Sequence, residues 1–384
     1  MIHRQKKKKP QQSRASLILT IVLAFLLIVG AAVLISQLPD DESWQLPQNT
    51  DNETEEQISG FDCEPADAQR LYPFGERVVR VSGERITCLD ILGSERFAVD
   101  VDFENPFVTS RQGWLLTADR ESRRYVMITP DGEAFRGQLQ GLICDTAISP
   151  DGTVALIQEQ EGSTGVVTIL EAQTGRHLFD CFFPESGYVL SVAFTKDNKA
   201  FDVVIVNTDG SQVQMIVKRF DLSGKAQGQL LPDINELSPL IVHQNEEQIV
   251  LAGYSQLMAV RYETDRAVWT KRFGQITSIT EQNSNLYVLA SEKSEGAASL
   301  YRITEDGTTK EIMTAGENKL ALAVFDELIA LGNGSHIRLL QQDDDDWYQD
   351  VTLQSDIIRF AFSDDESLIA VTHSGVRRIN IVRP

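Results

Sequence analysis

The chain has 384 residues, is 42% hydrophobic, and carries 56 Asp and Glu against 35 Lys and Arg, a net charge of −21. That apolar content can bury a sizeable core. The charge argues against a nucleic-acid partner, because such a protein neutralises phosphates with Lys and Arg.

The first element is a basic tail, residues 1–14, with Arg4, Lys6, Lys7, Lys8, Lys9, Arg14 and no acid. Ala15 to Leu38 then carry no charge, and the centre reads LILTIVLAFLLIVGAAVLI. As a helix rising about 1.5 Å per residue this segment spans a hydrocarbon core of about 30 Å. Backbone polar groups in lipid must bond internally, so the span must be helical. Asp40, Asp41 and Glu42 follow it. The positive flank stays in the cytoplasm, which sends the C-terminal part outside. A cleaved leader has a shorter apolar core ending in an A-x-A-like site. Here Ala31-Ala32 is followed by further apolar residues, and no cysteine ends the run to take a lipid. The expected localisation is therefore the cell membrane, as a single-pass protein. Residues 39–69, opening PDDESWQLPQNTDNETEEQ, are too polar to order themselves and read as a flexible acidic stalk. Residues 70–384 read as the extracytoplasmic domain.

That domain repeats itself. One unit is a small residue, an apolar residue, Ser or Thr, any residue, then Asp. It occurs at Ala147–Asp151, Ala193–Asp197 and Ala361–Asp365, with a looser copy at Ala321–Asp326. Apolar runs follow: VALI at 154–157, VVIV at 203–206, LIAV at 368–371 and LIAL at 328–331. The spacing is a multiple of about 40–46 residues, the length of a four-stranded propeller blade. The pattern predicts two strands joined by a tight turn whose Ser and Asp side chains bond the turn backbone. A second unit alternates with the first: a strand, a turn with Asp, Gly or both, then another strand. ITCLDILGSERFAV at 86–99 and LYRITEDGTTKEIM at 300–313 are examples. Gly93, Gly132, Gly175, Gly224 and Gly307 are placed to supply φ > 0 at these turns. From Tyr72 to Val382 there are eight copies of the first unit and seven of the second. The last segment, Ile357 to Val382, has three strands and lacks a fourth, which the N-terminal strands near Arg77–Val101 are expected to complete. With almost no helical periodicity, the fold class is all-β: a β-propeller of seven or eight four-stranded blades, eight being favoured.

TAISPDGTVALI resembles the turn segments of WD-repeat-like propellers. ILEAQTGRHLF at 169–179 and YETDRAVWTKRFG at 262–274 look like the hairpins of quinoprotein-like propellers. The layout resembles a family of unknown function: single-span membrane proteins of Gram-positive bacteria with an outer propeller. The Gly-His and Trp-Asp marks of true WD repeats are absent, as are the adjacent cysteines and regular Trp series of quinoprotein dehydrogenases.

Nothing in the sequence assigns a catalytic residue, a cofactor or a metal site. Asp343–Asp346 lacks the alternating acids and the Gly of calcium loops and reads as a solvated hairpin tip. Cys63, Cys88, Cys144 and Cys181 form no CxxC pair, and their disulfide state is left open. His177, His243, His336 and His373 are scattered. Arg120, Arg123 and Arg124 form a basic cluster in an acidic chain, the candidate contact for a partner or an anionic wall polymer. In an up-and-down blade the Asp/Gly turns share one face. The longer loops share the other, at Ala118–Arg124, Gln158–Gly165, Leu230–Pro239 and Ser291–Ala297, and that is the expected partner face. The expected function is a non-catalytic binding or scaffolding module for an unknown protein or cell-envelope ligand. Two alternatives stand: an enzyme whose site assembles at the channel mouth from several blades, and a ligand-sensing ectodomain acting through a membrane partner.

Overall fold

The computed structural model describes residues 58–382, apart from 184–186, 209–213, 235, 265, 295, 317–319 and 343. The basic tail, the Ala15–Leu38 span and the stalk as far as residue 57 lie outside the described residues. So does the tip at Asp343–Asp346, as far as its side chains are concerned. Among the described residues no helix is long and apolar enough to cross a membrane.

The described residues form eight four-stranded antiparallel sheets arranged as a closed propeller. Blades 1 to 7 span residues 71–100, 106–138, 142–182, 188–230, 240–272, 275–316 and 320–352. Blade 8 takes its first three strands from 357–380 and its outermost from Ile58–Asp62. The repeat arithmetic is thereby explained. Eight first units are the eight inner hairpins, and seven second units are the outer hairpins of blades 1 to 7. The eighth outer hairpin is split between the two ends of the domain.

The second strand of each blade carries a run of buried apolar residues because both of its faces meet a neighbouring blade. In LIAV, 368–371, all four residues are buried. Each of the eight blade interfaces has its own apolar cluster. Ile369, Val371 and Val376 of blade 8, for example, meet Leu71, Val78 and Leu89 of blade 1.

The tight turns hold as the repeats predict. In the first copy the Thr153 N–H donates to Asp151 at 3.1 Å, and in the second the Lys199 N–H donates to Asp197 at 3.1 Å. In the third copy the acceptor is Asp364, which takes the Glu366 N–H at 2.9 Å, one residue earlier than the repeat alignment places it. All five glycines named for the second unit have positive φ.

Two expectations are corrected. Residues 58–69 belong to the folded domain and are not stalk. They form the closing strand and a short helix, Pro65–Ala68, whose Ala68 is buried. The closing strand is Ile58–Asp62, paired in register from Ile58↔Ile379 to Asp62↔Gly375, whereas Arg77–Val101 makes three strands of blade 1. The strand fits because Gly60 lies against the neighbouring backbone: a Cβ there would stand 2.0 Å from the Val376 carbonyl oxygen. Arg377 of the adjacent strand donates to the Phe61 carbonyl at 3.0 Å and pairs with Asp62 at 2.5 Å.

Candidate binding face

Strand order divides the propeller ends into two faces. The first and third turns of every blade share a tight-turn face. The second turns and the blade-to-blade linkers share a loop face, as expected. The segment 158–165 is mostly strand, however, with only a Glu161-Gly162 turn between Val154–Gln160 and Ser163–Leu170.

The three arginines lie on the loop face but do not make a patch. Arg120 packs over the Phe107 ring, 4.2 Å from its centroid, and donates to the Cys144 carbonyl on the inner strand of blade 3. Arg123 donates to the Gln140 carbonyl at 2.9 Å, in the linker from blade 2 to blade 3. Arg124 turns the other way and pairs with Asp102 at 2.5 Å, in the linker from blade 1 to blade 2. Each guanidinium fastens a neighbouring segment. Beside them, buried Asp119 accepts from the backbone N–H groups of Asn105 at 2.6 Å, Glu104 at 3.1 Å and Ser122 at 2.9 Å. Burial works to raise its carboxyl, but these backbone donors hold it below the usual carboxylate range.

What sequence reasoning missed is apolar. Leu142, Phe182, Tyr188, Leu231, Leu237, Leu240 and Tyr254 are exposed large side chains, and all seven stand on the loop face at blades 3 to 5. Leu142, Tyr188 and Leu240 open inner strands, and Phe182 closes an outer one. Leu231 and Leu237 sit in the 231–239 linker, and Tyr254 in the second turn of blade 5. The other described large exposed hydrophobics are dispersed: Leu92, Val268, Phe325, Tyr348 and Val382. The sequence carried a signal in GYVL and in LLPDINELSPLIV, where apolar residues continue through a linker that otherwise reads as loop.

The display is braced from below. Glu236 accepts from the Gln256 N–H at 2.6 Å and the Ser255 N–H at 3.0 Å, tying the linker to the Tyr254 turn. The Tyr254 carbonyl accepts the Ile276 N–H of blade 6 at 2.7 Å. The Ser191 hydroxyl of blade 4 donates to the Pro239 carbonyl. Leu237, 54% exposed, and Tyr254, 59% exposed, are thus side chains open to water on fixed backbone.

At the tight-turn end of the same region a buried polar network joins blades 4 and 5. Asp202, fully buried, receives Arg219 through both Nε at 2.9 Å and an Nη at 2.7 Å. The Tyr262 hydroxyl donates to it at 2.5 Å, and His243 Nε2 lies 2.7 Å away. Arg219 also stacks on the Tyr262 ring at 3.8 Å. His243, which spacing left without a partner, has one 41 residues upstream. His177 lies 3.1 Å from Asp180 on the outer strand of blade 3. At the tight-turn end Lys196 of blade 4 pairs with Glu281 of blade 6 at 2.7 Å and donates to the Gln244 carbonyl of blade 5 at 2.9 Å. Asp145, on the inner strand of blade 3, is pushed up because protein crowds a carboxyl that solvent still reaches; the Thr146 N–H and Arg120 oppose that rise.

The four cysteines are free thiols, all raised by burial, Cys181 to about 11, so none is a thiolate at neutral pH. Among the described residues no group of three or more His, Cys, Asp and Glu is placed to hold a metal ion.

A family model described as a family of unknown function, DUF5711, matches residues 48–381. Comparison with curated proteins gives no sequence match. Sqt1 of Saccharomyces cerevisiae is similar in structure, with a TM-score of 0.61 at 12% identity over 85% of this chain and 99% of that one. The computationally designed protein Ika8 gives 0.59 at 16% identity over 81% and 95%. BamB of Moraxella catarrhalis gives 0.53 at 12% identity over 84% and 99%. Identities this low establish a shared propeller fold and nothing finer.

Proposed function

The chain belongs to the family of unknown function DUF5711, and from that premise we propose that it is a non-catalytic, membrane-anchored binding module that docks an extracytoplasmic protein on its loop face. One observation carries the reading: the seven exposed apolar side chains gathered on blades 3 to 5. Large apolar side chains held open to water cost solubility, and their gathering on one face is characteristic of interaction sites. Tyrosine and leucine on braced backbone suit a protein surface, since little conformational freedom is lost when they are covered. The closing strand enters the propeller from the tight-turn rim, so the loop face lies opposite the point of entry.

Membrane anchoring is supported by the uncharged Ala15–Leu38 run and the charges flanking it. A single cysteine at Thr50, in a chain lacking the native four, is expected to react with a membrane-impermeant thiol reagent in intact cells. Labelling that appears only after lysis rejects the orientation.

Docking is tested by placing a photo-crosslinking residue at Tyr254 in the full chain in living cells. A discrete adduct is expected. It should disappear when Leu237 and Leu240 are both changed to Asp, and should not form from Ser223 on the tight-turn face. Equal crosslinking from both faces contradicts the reading.

A further inference from the structure

Blade 3 breaks its own repeat on the side that faces blade 2. Gln158 pairs with Ile143 immediately before a bulge in the inner strand. The same register position holds Ile205 in blade 4, Ala290 in blade 6 and the small hydroxyl of Thr372 in blade 8. Where those blades place an apolar or small side chain, blade 3 carries a buried amide and builds a polar chain from it. The Gln158 amide nitrogen donates to the Thr168 hydroxyl at 2.7 Å, which donates to Asp180 at 2.6 Å. The Gln158 oxygen accepts the Gly141 N–H at 2.9 Å. Gly141 has no room for a side chain, because a Cβ would lie 2.3 Å from the Glu159 carbonyl oxygen. Departures from a local rule are expected at functional or strained sites.

This chain forms the wall of a groove of about 320 Å³ between the end of blade 2 and the sheet of blade 3. That volume is at the small end of ligand sites. Three amides border it, Gln138, Gln140 and Gln160, with no side-chain partner among the described residues. His177 and Asp180 add an imidazole and a carboxylate 3.1 Å apart. Phe182, 56% exposed, stands at the rim. No Lys or Arg lines the groove. Amides and a carboxylate offer both donors and acceptors to hydroxyls, and an open aromatic ring offers a plane to an aliphatic ring face. A phosphate or carboxylate ligand would find no fixed cation.

We propose that this groove is a saccharide site that takes one or two rings of a neutral oligosaccharide, with a ring face on Phe182 and hydroxyls on Gln138, Gln160 and Asp180. The site stands apart from the protein-docking reading, sharing with it only Phe182 at the border.

The test is titration calorimetry of the full chain with four neutral tetrasaccharides, made of β-1,4-glucose, α-1,4-glucose, β-1,4-mannose and β-1,4-N-acetylglucosamine. At least one is expected to bind with a dissociation constant on the order of 1 mM or tighter. Phe182→Ala and Gln160→Ala should each weaken it about tenfold while the thermal midpoint moves by less than about 2 °C. Asp180→Asn, which disturbs the polar chain, is the harsher variant and should abolish binding. The Leu237→Asp, Leu240→Asp chain should bind sugar normally, so the two sites fail separately. Absence of binding by all four up to about 10 mM overturns the proposal. So does an unchanged affinity in Phe182→Ala, or a carboxylated tetrasaccharide that binds tenfold tighter than any neutral one.

Discussion

Taking away the charge of Asp202 would leave Arg219 buried beside an acceptor that no longer balances it, with Tyr262 and His243 losing their common partner. Breaking a buried ion pair from one side costs about 3–5 kcal/mol, because the remaining charge stays desolvated. Asp202→Asn is expected to lower unfolding stability by about 3 kcal/mol in urea titration, with the slope unchanged. Burial alone would raise this carboxyl, but bonds from His243 and Arg219 outweigh it and hold it below its unfolded value. Its contribution is therefore present above the unfolded carboxylate pKa of about 3.9 and is lost as pH falls through the lower folded value. The Asn variant should lose that part of the acid dependence and keep its deficit at pH 7. None of this was legible in the chain. Asp202 sits inside an apolar strand, FDVVIV, and its three partners are spread over two blades. Linear spacing carries no trace of a network assembled by stacking. The exposed apolar residues escaped for a related reason: Leu237, Leu240 and Tyr254 are separate in sequence and share a place only at one end of the folded propeller.

Strands and turns were far more readable than sites, because each turn solves its hydrogen bonding locally. Asp197, Asp221 and Asp306 each sit in a tight turn and accept the N–H two residues on, at 3.1, 2.9 and 2.9 Å. Lys199, Ser223 and Thr304 respectively lead in holding their carboxyls at about 2. These carboxylates support the fold above the unfolded value of about 3.9, and their support fades as pH drops from there through about 2. Changing all three to Asn should lower the thermal midpoint modestly at pH 7 and make its fall between about pH 4 and pH 2 shallower. A midpoint curve parallel to the wild type would contradict this account. The same local logic explains two errors. Gln158–Gly165 reads as a loop because it is polar, yet all of it but the Glu161-Gly162 turn is strand, with Gln158 and Gln160 turned toward the groove. Asp364 accepts the turn N–H at the place where the repeat aligns Asp365, because a run of two acids gives the repeat two candidates for one position.

At the scale of the molecule, ring closure is the one feature that local reading placed wrongly. The missing eighth outer strand was countable, since eight inner hairpins met seven outer ones, but its donor lay in a segment whose polar surroundings read as stalk. ISGFD contributes only Ile58 and Phe61 to the apolar clusters, too little to stand out beside NTDNETEEQ. Closure follows from the backbone instead: five register pairs with the strand Gly375–Asn380, the Arg377–Asp62 pair and the Cys63 N–H to the Ser374 carbonyl at 3.1 Å. A fragment starting at residue 55 should therefore be a monomer that melts in one cooperative transition. A fragment starting at residue 70, the boundary that composition suggests, leaves blade 8 three-stranded with an open edge. Losing the strand, its hydrogen bonds and the cover over the clusters costs on the order of 5 kcal/mol, a large part of the stability of an ordinary domain. The shorter fragment should melt earlier and more broadly, and should self-associate on a sizing column through the unpaired edge. A peptide of residues 55–69 added in trans should restore the monomer and raise the midpoint, whereas the same peptide with Gly60→Val should not, because the Val376 carbonyl leaves no space for it. If the fragment from residue 70 melts within about 2 °C of the longer one, the closing strand is an ornament on a ring that seven complete blades already hold shut.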